Sequence, residues 1–185
     1  ELNYGTGFGK VHEQMVAKLT DKRAGLLLLH GLPGSGKSTY IKHLTKVIPR
    51  EFIFIPVGMA ASLSDPEFLS LLMDHEPAVL ILEDAEQSLA SREKDIYNSS
   101  TVSCLLNLTD GVLGSLLGIT IIATYNADKQ LIDKALLRKG RLMFDYTFDK
   151  LSVDDARRLA VSLKKTISIT EPTSLADIYN AEDDT

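Results

Sequence analysis

The chain has 185 residues, 44% of them hydrophobic, and a formal net charge of −5. That length fits about one domain with at most a small appendage, enough to bury roughly 70% of the unfolded surface. The acidic balance excludes a general nucleic-acid surface, the single Cys104 excludes an intrachain disulfide or a thiolate metal cluster, and no apolar run reaches the roughly 18 residues of a membrane span. A reducing, cytoplasmic compartment is the simplest expectation. The chain starts at Glu1, so it is expected to be a piece of something longer, with a membrane anchor upstream left open.

Glu1 to Lys10 is glycine-rich and reads as an ordered linker. Its Gly5-x-Gly7-x-Gly9 imitates a dinucleotide fingerprint, but no strand precedes it and the spacing is wrong. Tyr4 or Phe8 is read either as packing near an adenine ring or as ordinary surface packing. Val11, Met15 and Leu19 mark a short amphipathic helix. Leu26 to Leu29 is an apolar run that reads as a buried strand. It leads into Gly31-Leu32-Pro33-Gly34-Ser35-Gly36-Lys37-Ser38-Thr39, which fits the phosphate-loop pattern G-x-x-x-x-G-K-[ST]. Ile41, Leu44, Val47 and Ile48 then recur at helical spacing until Pro49.

Phe52 to Ile55 is a second strand, closed by Pro56. Ser64-Asp65-Pro66 opens a helix carrying Phe68, Leu69, Leu71 and Leu72. Ala78 to Leu82 is a third strand, ending in Glu83-Asp84-Ala85-Glu86. The polar stretch from Gln87 to Thr101 reads as a mobile loop, and Val102, Leu105, Leu106 and Leu108 as the apolar side of a helix ending at Asp110-Gly111. Ile119 to Ala123 is a fourth strand that delivers Thr124-Tyr125-Asn126. Leu131 to Arg138 is a short helix stopped by Gly140. Alternating Leu142, Phe144, Tyr146 and Phe148 make a fifth strand. Ser152 caps a helix to Lys164, and Ser174 to Tyr179 begins a last one. Strands alternating with helices, most strands continuous apolar runs, predict an α/β fold with a five-stranded parallel sheet covered on both faces.

A strand, a glycine loop and a helix form a phosphate cradle, since backbone N–H groups turn inward at a helix N-terminus. Gly31, Pro33, Gly34, Ser35, Gly36, Lys37, Ser38 and Thr39 are therefore the candidate nucleotide-binding residues. Lys37 reaches the β- and γ-phosphates and the Ser38 hydroxyl is a Mg²⁺ ligand. Glu83 and Asp84, at the end of an apolar strand, suit a metal-side acid and an acid that orients or deprotonates water. Asn126 lies where ligands collect in open α/β sheets and suits holding that water or touching the γ-phosphate. Arg138 and Arg141 read either as solvated cations near a helix end or as fingers reaching a neighbouring subunit's γ-phosphate.

In order and spacing, Gly31 to Ser38, Leu80 to Asp84, Leu105 to Gly111, Thr124 to Asn126 and Ala135 to Arg141 resemble the motifs of an AAA ATPase. They are similar to its Walker A, Walker B, second-region helix, sensor 1 and arginine-finger segment. The resemblance covers about residues 22 to 150 and a short lid. Ser62 to Asp65, the Glu83-Asp84 order and Ser174 to Ile178 most resemble the branch that translocates the Rieske iron–sulfur protein during cytochrome bc complex assembly. It implies a P-loop NTPase of AAA type, with residues 1–10 a linker, 11–150 the nucleotide-binding domain and 151–185 a partial helical lid. It implies ATP/ADP and Mg²⁺ as cofactors and Glu83 on the Mg²⁺ side with Ser38. Asp84 would then activate water, with Glu86 able to supply the reach instead. Asn126 would be sensor 1, and Arg138 and Arg141 trans fingers in a homo-oligomeric ring, hexamer or heptamer, that remodels or moves an unknown protein substrate. Lys139 stands where the family usually has proline, and Val57 to Ala60 lack the aromatic pore-loop residue, which disfavours simple threading. A nucleotide-gated scaffold with little turnover and a P-loop small-molecule kinase are the other readings.

Overall fold

The computed structural model describes residues 2–90, 96–126 and 132–182, without the side chains at 87 and 96–99. Five strands, β1 (Gly25–His30), β2 (Phe52–Phe54), β3 (Val79–Leu82), β4 (Thr120–Tyr125) and β5 (Leu142–Thr147), form one parallel sheet. Their order is β2-β3-β4-β1-β5. Because β4 sits between β1 and β3, the segments leaving these three strands emerge side by side at one edge. That edge carries the phosphate loop, the acid corner and Asn126.

Around the sheet lie α1 (Phe8–Thr20), α2 (Lys37–Val47), α3 (Pro66–Asp74), α4 (Glu86–Leu89), α5 (Ile96–Asp110), α6 (Val112–Leu117), α7 (Val153–Ser162) and α8 (Leu175–Asn180). Successive strand residues point to opposite faces. Leu26, Leu28, Leu80, Leu82 and Ile121 therefore pack with Leu72, Val102, Leu105 and Leu108 on one side. Leu27, Leu29, Ile81 and Ile122 meet Met15 and Leu19 of α1 and Ile41 and Leu44 of α2 on the other. β3 and β4 are buried throughout and β1 up to Leu29, while β5 is half-buried along its length and β2 is half-buried to exposed, as sheet edges are. None of the helices among the described residues is long and apolar enough to cross a membrane.

Two expectations need correction, and two elements were not foreseen. No helix forms across the described part of 131–138; Leu131 itself lies outside the described residues. Asp133 Oδ1 accepts the Ala135 N–H at 2.8 Å, and i to i+3 bonds from Leu136 and Leu137 make consecutive turns instead. The polar stretch 87–101 is largely helical, with α4 and the first turns of α5 in it; residues 91–95 lie outside the described residues. Val57–Ser64, to which no element was assigned from sequence, is a 3-10 helix that buries Ala60 and Leu63. The segment after Gly111 adds α6, whose Val112 and Leu116 are exposed.

The described segments near the two ends of the chain are tied to the body. Leu151, Ala156, Leu159, Leu175 and Ile178 form a separate small core under α7 and α8. Asp155 accepts the Thr6 hydroxyl at 2.8 Å and the Ser152 hydroxyl at 2.8 Å, and these bonds hold its carboxyl down at about 2. Tyr4 and Phe8 join Tyr40 and Phe148 in one ring cluster, and Phe8 is buried in it and not packed on the surface.

Arg50 is the main polar tie at the opposite edge of the sheet. Its guanidinium donates to the carbonyls of Pro77, Leu19, Ala78 and Gly118 and to the Thr120 hydroxyl, at 2.7–3.0 Å. Burial pushes its pKa down to about 10, so it stays charged at neutral pH. Arg50→Lys is expected to cost about 3 kcal/mol, because an ammonium replaces at most three of five donors and strands buried carbonyls. A fall in the urea midpoint at unchanged slope checks it; an unchanged midpoint refutes it.

Candidate active site

Lys37 opens α2, and Gly36 before it adopts φ 94°. A side chain at Gly36 would meet Leu175 at 2.7 Å and Tyr4 at 2.9 Å. The loop is thus pressed against α8 and the N-terminal segment. Ala176 N–H donates to Gly34 O at 3.0 Å, and the Tyr4 hydroxyl donates to Gly36 O at 3.2 Å. These contacts hold the loop in the left-handed turns that glycine alone adopts without strain.

The Lys37 ammonium is buried and donates to Gly31 O at 2.7 Å, Leu32 O at 3.1 Å and Asn126 Oδ1 at 2.7 Å. Asn126 Nδ2 in turn donates to Asp84 Oδ1 at 3.0 Å. The Asn126 backbone N–H is held by a Glu86 carboxylate oxygen. Burial lowers the Lys37 pKa, and Asp84 first, then Glu86 and Glu83, pull it back up. The structure therefore brings four residues named from sequence, Lys37, Asn126, Asp84 and Glu86, into one hydrogen-bonded group.

Asp84 adopts φ 50°, sparsely populated for a residue with a side chain. Its N–H donates to the Thr124 hydroxyl at 3.0 Å, and Ala85 N–H donates to Thr124 O at 2.8 Å. Thr124 thereby latches the acid corner of β3 onto β4. Sequence reading quoted Thr124 without giving it this task. Half-buried Glu83 carries a buried Oε1 with no hydrogen-bond partner among the described residues, and the same holds for the Ser35 hydroxyl within the loop.

A cavity of about 590 Å³ lies over the loop, lined by Pro33, Gly34, Gly36, Lys37, Ser38, Thr39, Asp84 and Asn126. Asn3, Leu175, Ala176, Tyr179 and Asn180 complete it. None of these five was named as a site residue from sequence; the signals were the lid resemblance of Ser174 to Ile178 and the Ser174 cap, whose hydroxyl accepts the Asp177 N–H. The volume suits a ligand of nucleotide size. Mg²⁺ takes one or two protein oxygens alongside phosphates and water. Ser38 in the cavity and the orphaned oxygen of Glu83 fit that demand.

His30 is another residue sequence reading passed over. It precedes the loop, stacks on Tyr125 at 5.0 Å and 12°, and shares a 2.6 Å hydrogen bond with the Thr147 hydroxyl. It thus ties the ends of β1, β4 and β5 together beneath the site.

Arg138 and Arg141 are not brought to this cavity. Arg141 directly precedes β5, and Leu142 pairs with Leu26 at the start of β1. The six-residue β1 separates that end from the loop by roughly 20 Å. Arg141 Nε lies 3.1 Å from Asp110 Oδ2 and its Nη1 donates to Ala135 O, whereas Arg138 is exposed.

The family described as "ATPase family associated with various cellular activities (AAA)" matches residues 27–150. Mitochondrial chaperone BCS1 of Homo sapiens is 32% identical over 124 residues, which is 62% of this chain and 29% of that protein. An AAA-ATPase of Arabidopsis thaliana is 31% identical over 127 residues, 62% of this chain and 25% of that protein. Protein HYPER-SENSITIVITY-RELATED 4 of Arabidopsis thaliana is 32% identical over 130 residues, 22% of its length. The chain spans less than a third of each. The match across the sheet and its phosphate loop, with the order β2-β3-β4-β1-β5, shows that the chain belongs to the AAA family of ATPases.

Proposed function

We propose that this chain binds Mg²⁺-ATP on its phosphate loop and hydrolyses it to ADP and phosphate, as the motor part of a larger, ring-forming protein. The observation carrying this reading is the chain Lys37–Asn126–Asp84, with bonds of 2.7 and 3.0 Å, at the mouth of the cavity. Lys37 holds the β- and γ-phosphates and exchanges its present acceptors for theirs. Gly34, Ser35 and Gly36 present the loop, and Thr39, Ala176 and Tyr179 bound the cavity beside it. Ser38 and Glu83 hold Mg²⁺, which neutralises phosphate charge when bound. Asp84, exposed and the strongest acidic influence on Lys37, receives a proton from the attacking water. Asn126 orients Asp84 and that water.

The placement of Arg138 supports a trans arrangement, since it stands at the sheet end away from its own cavity. In a closed ring, hexamer or heptamer, Arg138 enters the next copy's site while the Asp110 contact of Arg141 positions the segment. Residues 1–10 act as a strap, 11–150 as the nucleotide domain and 151–185 as part of a lid. The work done is remodelling or moving a protein substrate, in keeping with the relative named as a chaperone. The buried Cys104 suits a reducing compartment, cytoplasmic or within an organelle.

The test is phosphate release from ATP against protein concentration. Specific activity is expected to rise with concentration as rings form, and a flat value from dilute protein upward refutes assembly. Lys37→Ala is expected to weaken ATP binding about tenfold or more, as the loss of a charge-assisted contact does. Unchanged binding refutes the site. A scaffold with little turnover is the second reading, favoured by the occupancy of both candidate bases: Asp84 and Glu86 each accept from Asn126.

A further inference from the structure

A second cavity, of about 870 Å³, lies between α1 and α2 behind the nucleotide cavity. Asn3 and Thr39 line both. One wall is α2, which presents Lys42, His43 and Lys46. The other is α1, which presents Gly9 and His12. Tyr4, Phe8 and Tyr40 make an aromatic floor. The nucleotide chemistry described above uses none of His12, Lys42, His43 and Lys46.

Charge in this groove is one-sided. Among the described residues that line it, none carries a carboxylate. The nearest acidic influence on His12 comes from Glu13, and it is outweighed: burial first, then His43, lower the His12 pKa. The two imidazole rings are 5.5 Å apart, and His12 Nδ1 shares a 2.8 Å hydrogen bond with the Tyr40 hydroxyl. That bond fixes the His12 ring against the floor. Lys42 and Lys46, one turn apart on α2, repel one another, and a bound anion would relieve both while accepting from the imidazole N–H groups. An acidic protein that gathers cations around an aromatic floor is set up to hold a compact anion with an apolar body.

We propose that this groove is a binding site for a small phosphate-bearing organic molecule, its phosphate among Lys42, His43, Lys46 and His12 and its apolar part on Tyr4 and Phe8. Its dimensions suit a small molecule, and the net charge of −5 disfavours a nucleic acid. The site is independent of hydrolysis, so it is tested in the Lys37→Ala protein, where phosphate binding at the loop is weakened. The probe is 1-naphthyl phosphate, followed by calorimetry and by the ring resonances of His12 and His43.

Saturable binding that shifts both histidines is expected. The exposed pair Lys42→Ser and Lys46→Ser should weaken it about tenfold or more at an unchanged thermal midpoint. 1-Naphthol and inorganic phosphate should each bind more weakly than the ester. Equal binding by the double variant, equal binding by either partial probe, shifts confined to the amides of Gly34 and Gly36, or no binding at all would overturn the proposal.

Discussion

Arg138→Ala is expected to lower ATP turnover about 10³-fold or more, the scale on which a trans arginine acts in phosphoryl transfer. ATP binding should change little, because Arg138 is absent from the cavity lining of its own chain. Mixing supplies the sharper test. A subunit with Arg138→Ala keeps an intact Asp84, and one with Asp84→Asn keeps an intact Arg138. Combined, they should recover activity that neither shows alone, since some interfaces pair a whole pocket with a whole finger. No recovery on mixing would remove the trans assignment. Arg141→Ala should behave differently, lowering turnover less and also lowering stability, because Arg141 is tied to Asp110 and Ala135 within its own chain.

Asp84→Asn is expected to bind ATP within a few-fold of the parent and to hydrolyse it about 10²–10⁴-fold more slowly. The substituted amide can still accept from Asn126 Nδ2, so the corner held by Thr124 keeps its shape. What it loses is the ability to take a proton. Glu86→Gln is the companion variant. Its amide oxygen can still accept the Asn126 backbone N–H, so Asn126 should stay in place and turnover should fall only mildly, through the lost charge. A reversed order of severity would move the base to Glu86. A parent protein that binds ATP and releases no phosphate would establish the scaffold reading.

Much of the architecture was legible because buried parallel strands announce themselves as continuous apolar runs. Leu26 to Leu29, Val79 to Leu82 and Ile119 to Ala123 have no polar face because helices cover both sides. The segments that misled are those where local chemistry and packing disagree with pattern. Asp133 bonds the backbone two residues on and turns a helix-like stretch into successive turns. Asn98, Ser99, Ser100 and Thr101 are poor helix formers, yet α5 runs through them because Val102, Leu105 and Leu108 further along are buried. Val112 and Leu116 point outward, so α6 lacks the stripe that signals an amphipathic helix.

The site divides in the same way. Its loop was visible because Gly31 to Thr39 is contiguous, with chemistry and spacing in one stretch. The acid corner and Asn126 could be named at strand ends, where the topology gathers side chains. Asn3, Ala176, Tyr179 and Asn180 could not, since they arrive from the two ends of the chain. The 2.7 Å bond from Lys37 to Asn126 joins residues 89 apart in sequence, a pairing only the sheet order creates.

The ring of Tyr4 against Gly36 has a practical corollary. The protein contains six tyrosines and no tryptophan, so its ultraviolet emission arises from phenol side chains alone. Tyr179 borders the nucleotide cavity, and the hydroxyl of Tyr4 touches the loop that grips phosphate. ATP binding at the loop is therefore expected to change the native fluorescence, with no dye attached. A single tryptophan introduced elsewhere would supply a separate colour for following assembly.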